Sequence, residues 1–273
     1  MDFAPIVHRG GENTPPATAA GSVASMRRLV TTDELTDEDL LGAYETHDRT
    51  PHPDRPWVLM NMVASLDGAT AVEGTSGALG GAGDRRVFGV VRTVPDIIVV
   101  AAGTVRAEDY GPPRLGPAAM ARRTARGQSP VPQLAVITRS AAIDPGSRLF
   151  GDGHRPIVIT TEDAPTDAVS ALATVADIER AGVGDVDLGA AMAMLARRGH
   201  LVALLEGGPS LNGQFVADGL VDELCLSVAP VLVAGASKRV AEGPAAAEGL
   251  GLALVHVLEH DDALFLRYAR VTG

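Results

Sequence analysis

The chain has one cysteine, Cys225, so an internal disulfide and a cysteine-rich zinc site are both excluded. A reducing cytoplasm is the expected setting. Aromatic residues make up only 3%. The core must therefore be built from Ala, Val, Leu and Ile, which favours helices packed on a sheet. Positive charge is scarce, with a formal net charge of -11. That disfavours a nucleic-acid binder, which needs a basic stripe to displace phosphate counterions, but not a nucleotide cofactor. No apolar run reaches the roughly 20 residues needed to span a bilayer, and Met1 to Val23 lacks the apolar stretch of a signal peptide. The single lysine, Lys238, follows no phosphate-binding glycine loop, so there is no Walker A motif. The segment Gly81-Ala82-Gly83-Asp84-Arg85-Arg86 lacks the third glycine of G-x-G-x-x-G, and no H-x-E with P-C-x-x-C zinc-deaminase signature occurs. No metal site is expected.

Hydrophobic residues make up 46% of the 273, enough for a sizeable core. Residues 1–56 read as an extension: a flexible tail to about residue 25, a short helix through about Tyr44, and a proline-stiffened linker, Thr50 to Pro56. The helix has two candidate starts, at Thr32 and Thr36, each a hydroxyl followed by acids. A compact domain, 57–273, follows. Strands are predicted at Trp57–Val63, Asp96–Ala101, Gln133–Thr138, Pro156–Thr161, Leu201–Leu205, Asp222–Ala229 and Leu264–Val271, most of them apolar without alternation, the pattern of strands buried on both faces. Helices are predicted from Gly83 to Pro95, at Asp187–Arg198 and at Leu211–Ala217. Strand and helix alternate until about residue 220, after which the chain turns mostly β. The expected fold is α/β, a largely parallel sheet with helices on both faces and antiparallel strands at one edge.

Three glycine-bearing turns follow strands or open helices: Gly74 to Gly83, Ala102 to Arg106, and Glu206 to Gly213. Glycine lets backbone N–H groups approach an anion closely, and a helix N-terminus adds favourable charge. Each alone is an ordinary tight turn; several at strand C-terminal ends suit a pyrophosphate. Gly208-Pro209-Ser210-Leu211-Asn212 offers a competing reading, a hydrolase nucleophile elbow with His256 or His260 as base, but Asn212 replaces its closing glycine. In a strand, His256 and His260 would stand about 13 Å apart, too far to share a metal ion.

Taken together, Ala64-Ser65-Leu66-Asp67-Gly68, Ser76-Gly77, Val91-Arg92, Asp96 to Val100, Gly103 to Asp109, Leu205 to Pro209 and Gly219 to Leu224 resemble the riboflavin-biosynthesis pyrimidine reductase, the reductase half of the bifunctional deaminase–reductase, over about residues 57–240. The resemblance implies a dihydrofolate-reductase-like fold, a homodimer, and NADPH-dependent reduction of a phosphorylated ribosylamino-pyrimidine at the opened ribose C1′. It implies that Ala64, Gly103, Thr104, Glu108, Arg139 and the run Gly207, Gly208, Pro209, Ser210, Leu211 to Gln214 border NADPH, with Arg139 at its 2′-phosphate. Ser76, Arg92, Arg114 and Glu206 would face the substrate, Ser76 through its hydroxyl and nearby free N–H groups, Arg92 by forking onto the phosphate. Asp67 and Glu206 would assist the proton that accompanies hydride transfer. Departures fall mainly on the substrate side: Asn61 stands where the family usually has lysine, an aromatic is missing around Ala78, the acid pair is Glu108-Asp109, and Arg114 comes late, after Pro112-Pro113. Because dihydrofolate reductases share this fold, a pterin or folate is the alternative substrate. NADPH sensing without turnover is the non-enzymatic alternative.

Overall fold

A computed structural model describes residues 33–46, 49–72, 74–246 and 248–270. The expected tail and Val271 lie outside these residues. Everything below belongs to the unit that begins at Glu34.

Helix α1 is Asp37–Glu45. Of its two candidate starts the second is used: the Thr36 hydroxyl accepts from the Asp39 amide, and the Asp39 carboxylate accepts from the Thr36 amide, a reciprocal cap. The chain then runs β1 (Trp57–Ser65), α2 (Ala82–Val91), β2 (Ile97–Ala101), α3 (Ala102–Ala107), α4 (Pro117–Ala125), β3 (Gln133–Ile137), β4 (Ile157–Thr160), α5 (Thr166–Ala173), β5 (Asp177–Arg180), α6 (Leu188–Arg197), β6 (Val202–Leu205), α7 (Pro209–Ala217), β7 (Glu223–Ala229), β8 (Ala253–His260) and β9 (Ala263–Ala269).

The nine strands form one sheet in the order β5-β4-β3-β2-β6-β1-β7-β9-β8. All neighbours from β5 to β7 pair in parallel; β9 pairs antiparallel with β7 and with β8. The expected mixed sheet is observed, with its antiparallel strands at one edge. Because side chains alternate across a strand, each apolar run feeds two cores. Leu59, Ile98, Val100 and Leu204 pack with α1, α2 and α5 on one face, while Val58, Met60, Ile97, Val99 and Leu205 pack with α6 and α7 on the other. Each such fully buried aliphatic side chain contributes about 1.5–3 kcal/mol relative to exposure.

Four elements had not been anticipated as such. In α4 the buried residue is Arg123, whose guanidinium donates to the carbonyls of Thr93, Pro95 and Ser129. Its inward face is polar, so it gives no apolar periodicity. Helix α5 is short, β5 is Asp-Ile-Glu-Arg, and β8 is largely exposed.

The segment before β1 is fixed by two buried acids at the start of β7. Asp222 accepts from Arg55 (2.5 and 2.9 Å) and from the Val58 amide (2.9 Å), with His52 Nε2 2.9 Å from Oδ1. Glu223 accepts from Arg49 (2.8 and 2.9 Å), Arg267 (2.7 Å) and Trp57 Nε1 (3.1 Å). Burial alone would raise the Asp222 carboxyl, but the hydrogen bonds from Arg55 and Val58 hold it below its ordinary range. Leu40 and Tyr44 of α1 are buried in the first of the two cores.

Candidate functional site

A cavity of about 1380 Å³ opens at the C-terminal ends of β1, β2, β3 and β6. This is where parallel α/β sheets place ligands, because the loops leaving those ends converge there. One wall comes from the turn at the end of β2 and from α3, which bring Gly103, Thr104 and Glu108 to the cavity. Arg139, just after β3, lines it too, its guanidinium 4.0 Å from Asp185 and largely exposed.

The Gly207-Gly208 peptide, which is cis, turns β6 into α7. Gly207 has φ +88°, a left-handed conformation that favours glycine, and its carbonyl accepts from the Ala101 amide (2.7 Å). A Cβ on Gly208 would stand 2.8 Å from Thr104 Oγ1, so glycine is what lets α7 begin against α3. No side chain caps α7, and Gly208, Pro209, Ser210, Leu211 and Gln214 all line the cavity. Its first-turn N–H groups are positioned to receive an anion. Asn212 and Gly213 point elsewhere. Asn212 donates to the Val240 carbonyl (2.7 Å), and a Cβ on Gly213 would lie 1.9 Å from the Glu242 carbonyl oxygen. The residue that breaks the hydrolase pattern thus anchors the irregular segment 240–242 against α7. His256 and His260, on β8, lie four strands beyond β6 in the sheet order, about 19 Å at the usual strand spacing, so neither serves Ser210 as a base.

Deep in the cavity, three side chains form a closed cluster. Arg92 Nε donates to Glu206 Oε1 (2.8 Å), and Nη2 donates to Glu206 Oε2 (2.7 Å) and to the Tyr110 hydroxyl (2.7 Å). The Tyr110 hydroxyl donates in turn to Glu206 Oε2 (2.5 Å). The guanidinium lies 4.2 Å from the Phe88 ring centre. Burial would depress Arg92, but its hydrogen bonds and charge contact with Glu206 outweigh it and raise it above its ordinary value. Burial, then the Glu206 charge, push the Tyr110 phenol up, so it remains protonated. Arg92 Nε and Nη2 are thus engaged within the cluster, and Nη1 is the nitrogen left for a ligand in the cavity it lines.

Other expectations shift as well. Ser76 lines the cavity, but its amide (3.1 Å) and hydroxyl (3.0 Å) both donate to Glu108, which engages both donors and joins the two loops expected to serve different ligands. Asp67 does not line the cavity. Its carboxylate accepts from the Val233 amide (3.1 Å), the Ala234 amide (2.6 Å) and the Ser65 hydroxyl. Those bonds, that of Ser65 foremost, push its pKa down to about 2, so Asp67 clamps a loop and has no proton to give near neutral pH. Arg114 also lies outside the cavity, exposed and paired with Asp152 (2.7 Å), because Pro112-Pro113 carry the chain away before it. Ala64 is buried in β1 beside Val228. Among the described residues no group of three His, Cys, Asp or Glu side chains stands together as a metal site.

The family profile of the RibD C-terminal domain matches residues 56–266. The chain belongs to the RibD C-terminal domain family. Among its relatives, a 2,5-diamino-6-ribosylamino-4(3H)-pyrimidinone 5′-phosphate reductase of Methanothermobacter thermautotrophicus is 33% identical over 185 residues, covering 68% of this chain and 82% of the relative. A riboflavin biosynthesis protein RibD of Mycobacterium tuberculosis is 28% identical, and the match covers 44% of its length. A solved pyrimidine reductase-like protein from Corynebacterium diphtheriae superposes with a TM-score of 0.73 at 26% identity, covering 81% of this chain and 94% of that one. The fold is the dihydrofolate-reductase-like one of the RibD reductases. Three lining residues were not among those the motifs assigned to the site: Tyr110 and Phe88, packed at Arg92, and Lys238. In a chain so poor in aromatics, a tyrosine right after Glu108-Asp109 was a usable signal.

Proposed function

We propose that the chain is an NADPH-dependent reductase acting on a phosphorylated ribosylamino-pyrimidine of riboflavin biosynthesis. The observation that carries this reading is the shared cavity: the uncapped start of α7 with the close-packed Gly208–Thr104 contact borders the same space as the buried Glu206. The donor set fits a dinucleotide. Backbone N–H groups of α7 suit a pyrophosphate, and Arg139 suits the extra phosphate of NADPH. When bound, that cofactor supplies a hydride, which the opened ribosyl imine takes at C1′ while its nitrogen gains a proton from solvent.

The protein's own contribution is placement. Arg92 and Tyr110 fix the Glu206 carboxylate in one orientation and occupy three of its roughly four lone-pair sites, so the one left, on Oε1, accepts from a pyrimidine N–H group. Thr104 and Glu108 shape the opposite wall, with Ser76 locking Glu108 in place. The names of the relatives favour a pyrimidine over a pterin or folate. The exposed Leu254 and Val255 of edge strand β8 and Val231 and Leu232 after β7 support a homodimer. No helix among the described residues is long and apolar enough to cross a membrane. Steady-state NADPH oxidation tests the reading. Turnover with the phosphorylated ribosylamino-pyrimidine and none with dihydrofolate is expected; the reverse preference overturns it, and saturable NADPH binding without turnover on either leaves the sensor.

A further inference from the structure

Helix α1 lies ahead of residues 56–266, the part that the family profile covers, yet it packs on the helix that carries Arg92. We propose that Glu45, at the end of α1, is a positioning residue for the reductase site: it fixes the turn at which α2 ends and so aims Arg92 at Glu206. This deepens the reductase reading and rests on it.

The contact begins with packing. Leu40 and Tyr44 of α1 share one core with Val87 and Val91 of α2. Asp37, at the start of α1, accepts from Arg86 (3.0 Å). Glu45, at its other end, reaches the residue after Arg92. Thr93 is buried, and its hydroxyl stands 2.7 Å from Glu45 Oε1. Arg126, at the end of α4, pairs through Nη1 with Glu45 Oε2 (2.9 Å) and donates from Nη2 to the Thr93 carbonyl (2.7 Å). Glu45, Thr93 and Arg126 thus close a ring. Arg123 donates to the same Thr93 carbonyl (2.9 Å) and to that of Pro95 (2.6 Å). Both lone pairs of the Thr93 carbonyl are used. Burial would raise the Glu45 carboxyl, but its bonds with Thr93 and Arg126 hold it below its ordinary range, so it is charged near neutral pH.

Arg92 is the residue between helix and ring. It closes α2, its amide bonded back to the Phe88 carbonyl (3.0 Å). Its backbone is therefore set from one side by the helix and from the other by Thr93. From that point its side chain meets both oxygens of Glu206 and the Tyr110 hydroxyl. A planar guanidinium makes such bonds only in a narrow range of directions. A shift of the turn is carried along the whole side chain to Glu206.

Glu45 does not hold α1 in place alone. Tyr44 is buried, Arg267 donates to the Ala43 carbonyl, and Arg49 ties the following segment to Glu223 (2.8 and 2.9 Å). Removing the Glu45 carboxylate therefore frees the turn while α1 stays docked. The Thr93 hydroxyl then turns to the Val90 carbonyl, also 2.7 Å away.

Two readouts on the full chain test this. Arginine Nε–H resonances report on the cluster without turnover, and that of Arg92 is the one lost in Arg92→Lys. It should exchange slowly with solvent in wild type and about tenfold faster in Glu45→Ala, as expected for losing one hydrogen bond to a charged group. In steady-state NADPH oxidation, Glu45→Ala should lower kcat/KM for the phosphorylated ribosylamino-pyrimidine about tenfold and leave KM for NADPH within about twofold. Glu45→Gln, whose amide oxygen still accepts from Thr93, should keep most of the wild-type rate. In an Arg92→Ala background, Glu45→Ala should add nothing, because it acts through Arg92. Should Glu45→Ala fail to fold, Thr93→Val, which removes only the hydroxyl's bond to Glu45 and Val90, carries the same expectations. Unchanged Arg92 exchange, an equal loss toward NADPH, or losses that multiply in the double variant would each overturn the proposal and leave the reductase reading standing. Faster Arg92 exchange in a chain that does not reduce the pyrimidine would keep this inference and sink the reductase reading.

Discussion

Two arginine–carboxylate clusters are buried in this chain, and they differ in what lies beside them. At the start of β7, Asp222 and Glu223 are wholly buried and met by Arg49, Arg55 and Arg267, by the Trp57 indole and by a backbone amide. At the end of β6, Glu206 is met by one arginine and one tyrosine, and its other side borders the cavity. A buried charge needs partners in either setting. In the first, all of them come from the chain, and the product is a tie between the segment before β1 and the sheet. In the second the partner set is left incomplete toward an open space, which is how a carboxylate comes to recognise a ligand. Burial and ion pairing alone do not separate the two; what remains unfilled around the carboxylate does.

The comparison breaks most visibly at Asp222. Asp222→Ala leaves Arg55 and His52 without their carboxylate and should cost about 3–5 kcal/mol of stability, seen as a fall of roughly 6–20 °C in thermal midpoint for a chain of this size. A folded variant with unchanged midpoint would show that the tie carries no stability. Next comes Glu206→Gln, which keeps the shape but removes the charge facing Arg92 and the cavity. Its kcat/KM should drop about a hundredfold, equivalent to about 2.7 kcal/mol, with a smaller shift in midpoint than Asp222→Ala. A variant damaged in stability but not in turnover would make both clusters alike. Tyr110→Phe, which removes the hydroxyl's hydrogen bonds with Arg92 and Glu206, should be milder, about fivefold in kcat/KM, equivalent to about 1 kcal/mol.

A further effect is a pH dependence near the tie. His256 packs edge-on against Tyr44, ring centres 5.0 Å apart, and burial, followed by the Arg267 charge, pushes its pKa down to about 4. In the unfolded chain it titrates near 6.5. The unfolded state thus takes up the proton first: the stability from the neutral ring is complete above about pH 6.5 and falls progressively toward pH 4. Denaturant melts of His256→Gln should show a shallower loss across that window; an equal slope in both proteins would remove His256 as its source.

Legibility followed the same division. The parallel strands could be read because short, unbroken runs of β-branched residues such as Ile97 to Val100 suit a doubly covered sheet. The helix of Arg123 was hidden because its buried face is a guanidinium serving carbonyls. The loops around the cavity were legible through glycine at Gly207 and Gly208, where a left-handed φ and a close approach demand it. The partners of individual side chains were not: sequence placed Arg92 and Glu206 in one site but left open that they bind each other, and it gave Asp67 chemistry although its carboxylate closes on the loop after β7. Pairings between residues more than 100 positions apart depend on how α2 meets β6, which local pattern does not encode.

One measurement bears directly on hydride transfer within this cavity. NADPH carrying deuterium at the transferable position of its nicotinamide would be incubated with the chain and the phosphorylated ribosylamino-pyrimidine, and the product weighed and located by mass spectrometry. A single deuterium on C1′ of the product is expected. A product without deuterium, or deuterium on the pyrimidine ring, would contradict the account.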